Sequence, residues 1–176
     1  MLTDASLLSR LNARDRALFL RCAFTTTSSR ATRFFWTALT HVGGATCTIA
    51  AVLLPLLLGG SAVPAARQAL ATLVVSHLLV QMVKRTVGRP RPSRDVSCAT
   101  LVAEPDRFSF PSGHSAAAMS VAVAYAVAYP SAGVPLIALA ALVGMSRVFL
   151  GVHYPGDVLI GQLLAVLTYL ALPSRL

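Results

Sequence analysis

The chain has 176 residues, of which 56% are hydrophobic and 12% are charged, and its mean hydropathy is +0.71. A soluble domain carries about 25% charged residues, so much of this surface is expected to face lipid rather than water. The formal net charge is +9, but the basic residues lie at the N-terminus and between apolar runs, as in membrane proteins. This placement disfavours a nucleic-acid partner. The length predicts a single domain over residues 1–176.

Residues 4–21 predict an N-terminal interfacial amphipathic helix, because their leucines fall near one helical face and their charges largely elsewhere. The leucines are Leu7, Leu8, Leu11 and Leu18. A basic tail without stable structure is the alternative. The arginines of this segment also interrupt any apolar run that a secretory signal would need. Residues 22–33, rich in Thr, Ser and Arg, are predicted to form a connector.

Five transmembrane helices are predicted from the apolar runs, since about 20 apolar residues cross a bilayer. The predicted spans are 34–58, about 65–83, 112–129, 134–150 and 155–172. The first contains no Lys, Arg, Asp or Glu, and prolines and glycines at 130–135 divide the third from the fourth. The third and fifth are short and have polar starts, which are tolerable where they line a protein cavity. We therefore expect an all-α polytopic membrane helix bundle with its core at 34–172.

Polar residues at the ends of these spans fall on one side of the membrane, because the second and fourth spans end there and the third and fifth begin there. Charge near a bilayer is costly, so it indicates function. Lys84, Arg91 and Arg147 have no matching set of acids beside them in the sequence, so they need an anion, and a phosphoryl group fits. Taken singly, Lys84 is also explained as a snorkelling residue and Arg147 as a helix C-terminal charge.

The segment 111–114, Pro-Ser-Gly-His, precedes the third predicted span. Ser112 is a good N-cap, and Gly113 has no side chain to keep a ligand oxygen from its amide. A helix N-terminus aimed at the site adds N–H donors and a positive dipole. The segment therefore predicts an anion-binding turn, although on its own it is only a turn and a cap.

Two histidines suit acid–base and nucleophilic chemistry near neutral pH. Asp157 follows His153 by four residues, and the two share a face if the last helix starts near Tyr154. The carboxylate would then hold one ring nitrogen protonated and leave the other free to attack. These residues do not decide whether His153 or His114 is the nucleophile, and a lone histidine beside a helix is more often a satisfied interfacial residue.

Together these residues form three motifs in a fixed order. They are Lys84, six residues and Arg91-Pro92; Pro111-Ser112-Gly113-His114; and Ser146-Arg147, five residues, His153, three residues and Asp157. In their order and spacing they resemble the type 2 phosphatidic acid phosphatase (PAP2) superfamily, which includes lipid phosphate phosphatases and the vanadium haloperoxidases. The motifs cover residues 84–157, and the pattern of spans extends the resemblance over most of the chain.

The resemblance implies hydrolysis of a phosphomonoester or diphosphate on a membrane lipid, through a phosphohistidine and without a metal or other cofactor. It implies that His153 is the nucleophile, that Asp157 orients it, and that His114 protonates the leaving alcohol and then activates water. It implies phosphate ligands at Lys84, Arg91, Ser112, the Gly113 amide and Arg147. The three cysteines, an odd number without metal-site spacing, indicate neither a disulfide framework nor a zinc site.

Two alternatives compete with a lipid phosphatase: a vanadium-dependent haloperoxidase and a non-catalytic membrane scaffold or transporter. Five apolar spans and a small size disfavour the first, and complete motifs disfavour the second. A polyprenyl phosphate or diphosphate, phosphatidylglycerophosphate, phosphatidate and a lipid-linked sugar phosphate all fit as substrates. The sequence leaves the oligomeric state open.

The charge distribution also predicts an orientation. We expect an integral protein of the bacterial plasma membrane. Six arginines precede the first span, on the side of the active site, whereas Arg67 and Arg175 lie on the other side. The positive-inside rule therefore places the active site at the cytoplasmic face.

Overall fold

The computed structural model describes residues 3–23, 28–96, 98, 100–104 and 106–173, with side chains described from Asn12 onward. Within these ranges the chain forms eight helices, and its one β-type pairing is an isolated bridge between Pro90 and Phe108. The helices are α1 (Thr3–Cys22), α2 (Arg30–Val42), α3 (Ala45–Leu58), α4 (Val63–Val87), α5 (Pro92–Asp95), α6 (Gly113–Ala128), α7 (Pro130–Phe149) and α8 (Pro155–Ala171). The predicted all-α class is confirmed.

The predicted first span is not one straight helix. It is divided into α2 and α3, whose axes bend by 44° at Gly43 and Gly44. A Cβ atom at Gly43 would lie 2.3 Å from Val143 Cγ1, so glycine is needed where α2 approaches α7. The predicted connector over 22–33 is also too long, because α2 begins at Arg30 behind an N-cap at Ser29.

Two helices, α4 and α7, are long and apolar enough to cross a membrane, and the bent pair α2–α3 makes a third if it counts as one span. The helices α6 and α8 are apolar but shorter, with 16 and 17 residues. Five spans therefore stay a prediction. The helix α7 starts at Pro130, four residues before the predicted start at 134, because proline is well suited to the first turn of a helix.

The centre of the bundle is α6, which packs against α4, α7 and α8. Its buried side chains are small and include Ala116, Ala118, Ala122 and Ala124. Small side chains let helix backbones approach closely, which is how helices associate where no water drives them together. The hydroxyls of Ser76 on α4 and Ser120 on α6 form a buried 2.8 Å hydrogen bond that ties these two helices.

The predicted N-terminal helix is present as α1, and it lies against the start of α8. Phe19 is fully buried, and its ring meets that of Tyr154 edge-on at a centroid distance of 5.3 Å. The side chains of Leu7, Leu8 and Leu11 lie outside the described part of the chain, so the amphipathic face and its interfacial position stay predictions.

Candidate active site

The ends of α4, α6, α7 and α8 meet at one place, as helix parity predicts. The backbone N–H of Ser112, just before α6, donates to the carbonyl of Asp157 on α8 at 2.9 Å. A Cβ atom at Gly161 would lie 2.5 Å from the Ser112 carbonyl oxygen, so glycine permits this approach of α8. The helix contact brings the second and third sequence motifs together.

A cavity of about 670 Å³ begins at these residues and continues along α3 and α4. Its polar end is formed by Lys84, Asp106, Gly113, His114 and His153. The remainder is mostly apolar. Ile49, Leu53 and Leu78 line it and are also exposed on the outer surface, so the cavity opens sideways along α3 and α4.

His153 is buried in the loop between α7 and α8, and its two ring nitrogens face different groups. Nδ1 lies 3.5 Å from Asp157 Oδ2, and Nε2 lies 3.3 Å from Arg91 Nη1. An arginine can only donate, so Nε2 carries the lone pair and Nδ1 carries the proton. This tautomer puts the lone pair on Nε2 and places the carboxylate of Asp157 beside the protonated Nδ1.

The pKa of His153 is lowered to about 4. Burial is the largest cause, and the charges of Arg147 and Arg91 lower it further, while Asp157 raises it. The ring is therefore neutral at physiological pH. A neutral imidazole is what a nitrogen nucleophile requires, because protonation would remove the lone pair.

Asp157 is fully buried and firmly held. Its carboxylate accepts hydrogen bonds from the backbone N–H of Tyr154 at 2.8 Å, from Arg89 Nη1 at 2.7 Å and from the hydroxyl of Ser109. The predicted start of the last helix is confirmed, since α8 begins at Pro155 with Tyr154 as its N-cap. This geometry fixes the carboxylate beside Nδ1 of His153.

Lys84 and Arg91 are paired with an acid, contrary to the prediction that these cations have no matching carboxylates. Lys84 Nζ lies 2.9 Å from Asp106 Oδ2, and Arg91 Nη2 lies 3.0 Å from Asp106 Oδ1. Burial alone raises the pKa of Asp106, but its hydrogen bond and charge interaction with Lys84, together with the charge of Arg91, lower it below the ordinary value. Asp106 is therefore ionised and stands between the two cations.

Among the predicted phosphate ligands, Arg147 has buried donor nitrogens without a partner in the described part of the chain. It is buried, and Nη1 donates to Thr40 Oγ1 at 2.8 Å, whereas Nε and Nη2 have no hydrogen-bond partner among the described residues. Its charge interacts with that of Arg91. Buried donors are nearly always satisfied in native proteins, so the two unpaired nitrogens of Arg147 indicate a site for an anion.

The predicted N-cap at Ser112 is confirmed. Its hydroxyl oxygen accepts from the backbone N–H of Ser115 at 3.5 Å and from the Ser115 hydroxyl at 2.9 Å, which leaves its own proton available. Gly113 and His114 begin α6 and line the cavity. The His114 ring is within electrostatic range of Arg147, His153 and Arg91. The structure thus brings every predicted site residue to one cluster.

Sequence reasoning missed the residues that hold this cluster in place. They are Asp15, Thr40, Arg89, Asp106 and Ser109. Arg89 lies two positions before Arg91 in a stretch rich in arginine and proline, and the sequence does not show which of these arginines faces a carboxylate. Asp106 is one of three acids between 85 and 110, and only the antiparallel bridge of Pro90 with Phe108 brings it to Lys84.

Arg89 connects the N-terminal helix to this cluster. Its Nη1 lies 2.8 Å from Asp15 Oδ2 on α1 and 2.7 Å from Asp157 Oδ1, and its guanidinium stacks 4.1 Å from the centroid of the Tyr154 ring. Asp15 Oδ1 also accepts from the backbone N–H of Gly156 at 2.8 Å. The first turn of α8 is thus held from the side opposite His153.

The PAP2 superfamily model matches residues 65–174, which is more than half of the chain, and the chain belongs to this superfamily. It is 40% identical over 95 residues to a lipid A 1-phosphatase of Rhizobium johnstonii, covering 51% of this chain and 39% of that protein. It is 37% identical over 110 residues to the decaprenylphosphoryl-5-phosphoribose phosphatase of Mycobacterium tuberculosis, covering 60% of each. The chain therefore spans about two fifths to three fifths of these relatives.

Solved structures agree with this assignment. The transmembrane PAP2-type phosphatidylglycerolphosphate phosphatase of Bacillus subtilis superposes with a TM-score of 0.73 at 25% identity, covering 96% of this chain and 85% of that one. Aquifex aeolicus LpxE gives a TM-score of 0.75 at 22% identity over 88% of this chain and 91% of its own, and it supports the fold. With its apolar helices, the chain is an integral membrane protein, and the predicted family is confirmed.

Proposed function

We propose that the protein hydrolyses a phosphomonoester or diphosphate on a membrane lipid and releases inorganic phosphate. The observation that carries this proposal is the neutral, buried ring of His153, whose Nε2 lone pair points to Arg91 at the polar end of a cavity of about 670 Å³. The relatives named above are lipid phosphatases, which supports the same chemistry.

The reaction proceeds in two steps through a phosphohistidine. In the first, His153 Nε2 attacks phosphorus, the bond from phosphorus to the lipid oxygen breaks, and His114, protonated beside the negative charge of the bound phosphate, gives its proton to that oxygen. In the second, water attacks phosphorus, the N–P bond breaks with its electron pair returning to His153, and His114 accepts a proton from the water. Asp157 stabilises the positive charge that develops on the ring in the first step.

Phosphate binding would use the cations and the start of α6. Arg147 offers two free donors, Ser112 offers its hydroxyl proton and Gly113 its amide, while Lys84 and Arg91 complete the set. Preorganised donors of this kind stabilise the charge of a phosphoryl transition state. In the structure Asp106 forms salt bridges with both Lys84 and Arg91, so a bound phosphoryl group would compete with this carboxylate for the two cations.

We infer the position of the protein in the bilayer from the same helices. Five spans, formed by the bent pair α2–α3 with α4, α6, α7 and α8, would place the polar starts of α6 and α8 at the cavity. Each of these two helices rises about 25 Å, which is shorter than the roughly 30 Å hydrocarbon core. We place the active site at the cytoplasmic face because the positive-inside rule puts the arginine-rich N-terminal segment there. One of these arginines, Arg16, also has a structural role, since it forms a 2.7 Å salt bridge with Asp95.

Hydrolysis is tested with the purified protein in lipid vesicles. Phosphate release from polyprenyl phosphate, phosphatidate and phosphatidylglycerophosphate is measured for the wild type and His153→Ala. We expect turnover and an acid-labile ³²P adduct in the wild type, and neither in the variant. The matched control is Arg67→Ala, at the opposite end of α4, which should keep both. Normal turnover by His153→Ala would refute the mechanism.

Orientation is tested by cysteine labelling in intact cells. The three native cysteines are replaced by serine, and a single cysteine is introduced at the exposed position Arg94, beside the site, or at Ser61, at the far end of α4. A cytoplasmic active site predicts that a membrane-impermeant maleimide labels Ser61→Cys only, and that permeabilised cells label both. The reverse pattern would place the site outside.

A further inference from the structure

Three polar side chains, Thr48, His77 and Gln81, lie in the mostly apolar part of the cavity. His77 and Gln81 are both on α4, and both line the cavity that begins at Lys84 and His153. A polar side chain within a membrane span is costly and by default indicates a functional site, such as a substrate path. The mechanism proposed above uses neither His77 nor Gln81.

Their spacing places them beside the phosphoryl site. His77, Gln81 and Lys84 are separated by four and three residues, so they share one face of α4. A rise of about 1.5 Å per residue puts Gln81 roughly 5 Å and His77 roughly 10 Å from Lys84 along the helix axis. A molecule that extends from the phosphoryl site into the cavity passes both side chains in that order.

Both side chains have hydrogen-bonding capacity left over. Nε2 of His77 and Nε2 of Gln81 are 3.4 Å apart, a long contact that leaves the amide oxygen of Gln81 and one further amide proton for a ligand. The hydroxyl of Thr48, which also lines the cavity, donates to the carbonyl of Gly44 at 2.9 Å. His77 and Gln81 therefore form a polar band between the phosphate site and the apolar remainder.

This band distinguishes two kinds of lipid phosphate. A phosphate carried directly on an isoprenoid chain would place methylene groups against His77 and Gln81 and leave their polar atoms without partners. A phosphate carried on a hydroxyl-bearing unit would place hydroxyl groups there. A substrate that leaves the polar atoms of His77 and Gln81 without hydrogen-bond partners binds less well, so the isoprenoid phosphate would be the disfavoured one.

We propose that His77 and Gln81 form a subsite for a hydroxyl-bearing unit, a sugar or a glycerol, that carries the scissile phosphate of the lipid. This inference rests on the proposed phosphatase function and narrows its substrate class. The apolar tail then lies along Leu53, Leu70 and Val74, farther from Lys84 in the same cavity.

The test compares substrates in pairs with identical tails. The glycerol arm sets phosphatidylglycerophosphate against phosphatidate, and the sugar arm sets a polyprenylphosphoryl-pentose 5-phosphate against the polyprenyl phosphate. We expect the wild type to prefer the hydroxyl-bearing member of at least one pair by about tenfold or more in kcat/KM, as two hydrogen bonds would give. The arm that shows the preference identifies the unit.

The double variant His77→Leu/Gln81→Leu should lose this preference and keep its rate on polyprenyl phosphate, which also shows that it is folded. Thr48→Val, with a cavity-lining hydroxyl already bonded to Gly44, should keep the preference. Equal wild-type rates within both pairs, or an undiminished preference in the double variant, would overturn the subsite and leave the phosphatase in place. If the wild type hydrolyses no lipid phosphate, the proposed function fails and the subsite with it.

Discussion

Arg91 Nη1 lies 3.3 Å from His153 Nε2 and donates at 2.9 Å to the carbonyl oxygen of Val152. One guanidinium therefore fixes the loop that carries the histidine and also donates toward the ring nitrogen that holds the lone pair. In the proposed mechanism a phosphoryl group that reaches Nε2 displaces this contact and accepts from the same guanidinium, so Arg91 would bind the transferred group and hold the tautomer of His153.

Replacing Arg91 with lysine should reduce kcat/KM for lipid phosphate by about 100-fold or more, equivalent to roughly 2.7 kcal/mol. Lysine keeps the charge, but it lacks the planar fork that contacts Asp106, Val152 and His153 together. Phosphate release in vesicles measures the effect. Arg107→Lys, in the same segment and stacked on Phe108, is the control and should stay near wild type. A wild-type kcat/KM for Arg91→Lys would show that the fork is dispensable.

Arg89→Gln should lower kcat by about tenfold or more with little change in KM, because Arg89 holds the buried Asp157 and does not line the cavity. Arg89→Lys should recover part of the rate by restoring a cation. Steady-state kinetics on one lipid phosphate separate the two parameters. The exposed Arg85→Gln serves as the control. A rise in KM alone would contradict a positioning role and indicate direct substrate contact.

Asp106→Asn should tighten inhibition by inorganic phosphate or vanadate by roughly tenfold, which corresponds to about 1.4 kcal/mol. The carboxylate competes with a phosphoryl group for Lys84 and Arg91, and the amide would compete less. Inhibition constants for the wild type and the variant test this. Glu104→Gln removes an acid of the same segment that pairs with Ser93, and it should leave inhibition unchanged. Equal inhibition of Asp106→Asn and wild type would mean that Asp106 does not compete with substrate.

His153 should stay neutral until the pH approaches 4, well below the ordinary histidine value of 6.5. Burial and the charges of Arg147 and Arg91 lower its pKa, so the nucleophile is lost only as the pH falls through that lower value. Titration of ¹⁵N-histidine-labelled protein by NMR measures it, with the signal assigned by its absence in His153→Gln. Protonation of this ring near pH 6.5 would contradict the buried geometry.

The sequence alone determined the features that depend on neighbouring residues. Apolar runs between charged ends define helices because burial in lipid requires them, and a serine before Gly113 or a proline after Tyr154 marks where a helix begins. The four-residue spacing of His153 and Asp157 placed them close together at the start of the last helix, and the three motifs identified the family. These signals come from residues that are close together in the sequence, so they can be recognised without knowing the fold.

The tertiary structure decided which distant charges meet. Asp106 reaches Lys84 only because the chain doubles back between Pro90 and Phe108, and Asp15 reaches Arg89 only because α1 docks on the start of α8. The bend at Gly43 likewise depends on the approach of Val143 from another helix. Contacts between residues far apart in sequence depend on how the whole bundle packs. The sequence therefore supplied the candidate reacting groups, while the fold determined their ionic partners and the shape of the cavity beside them.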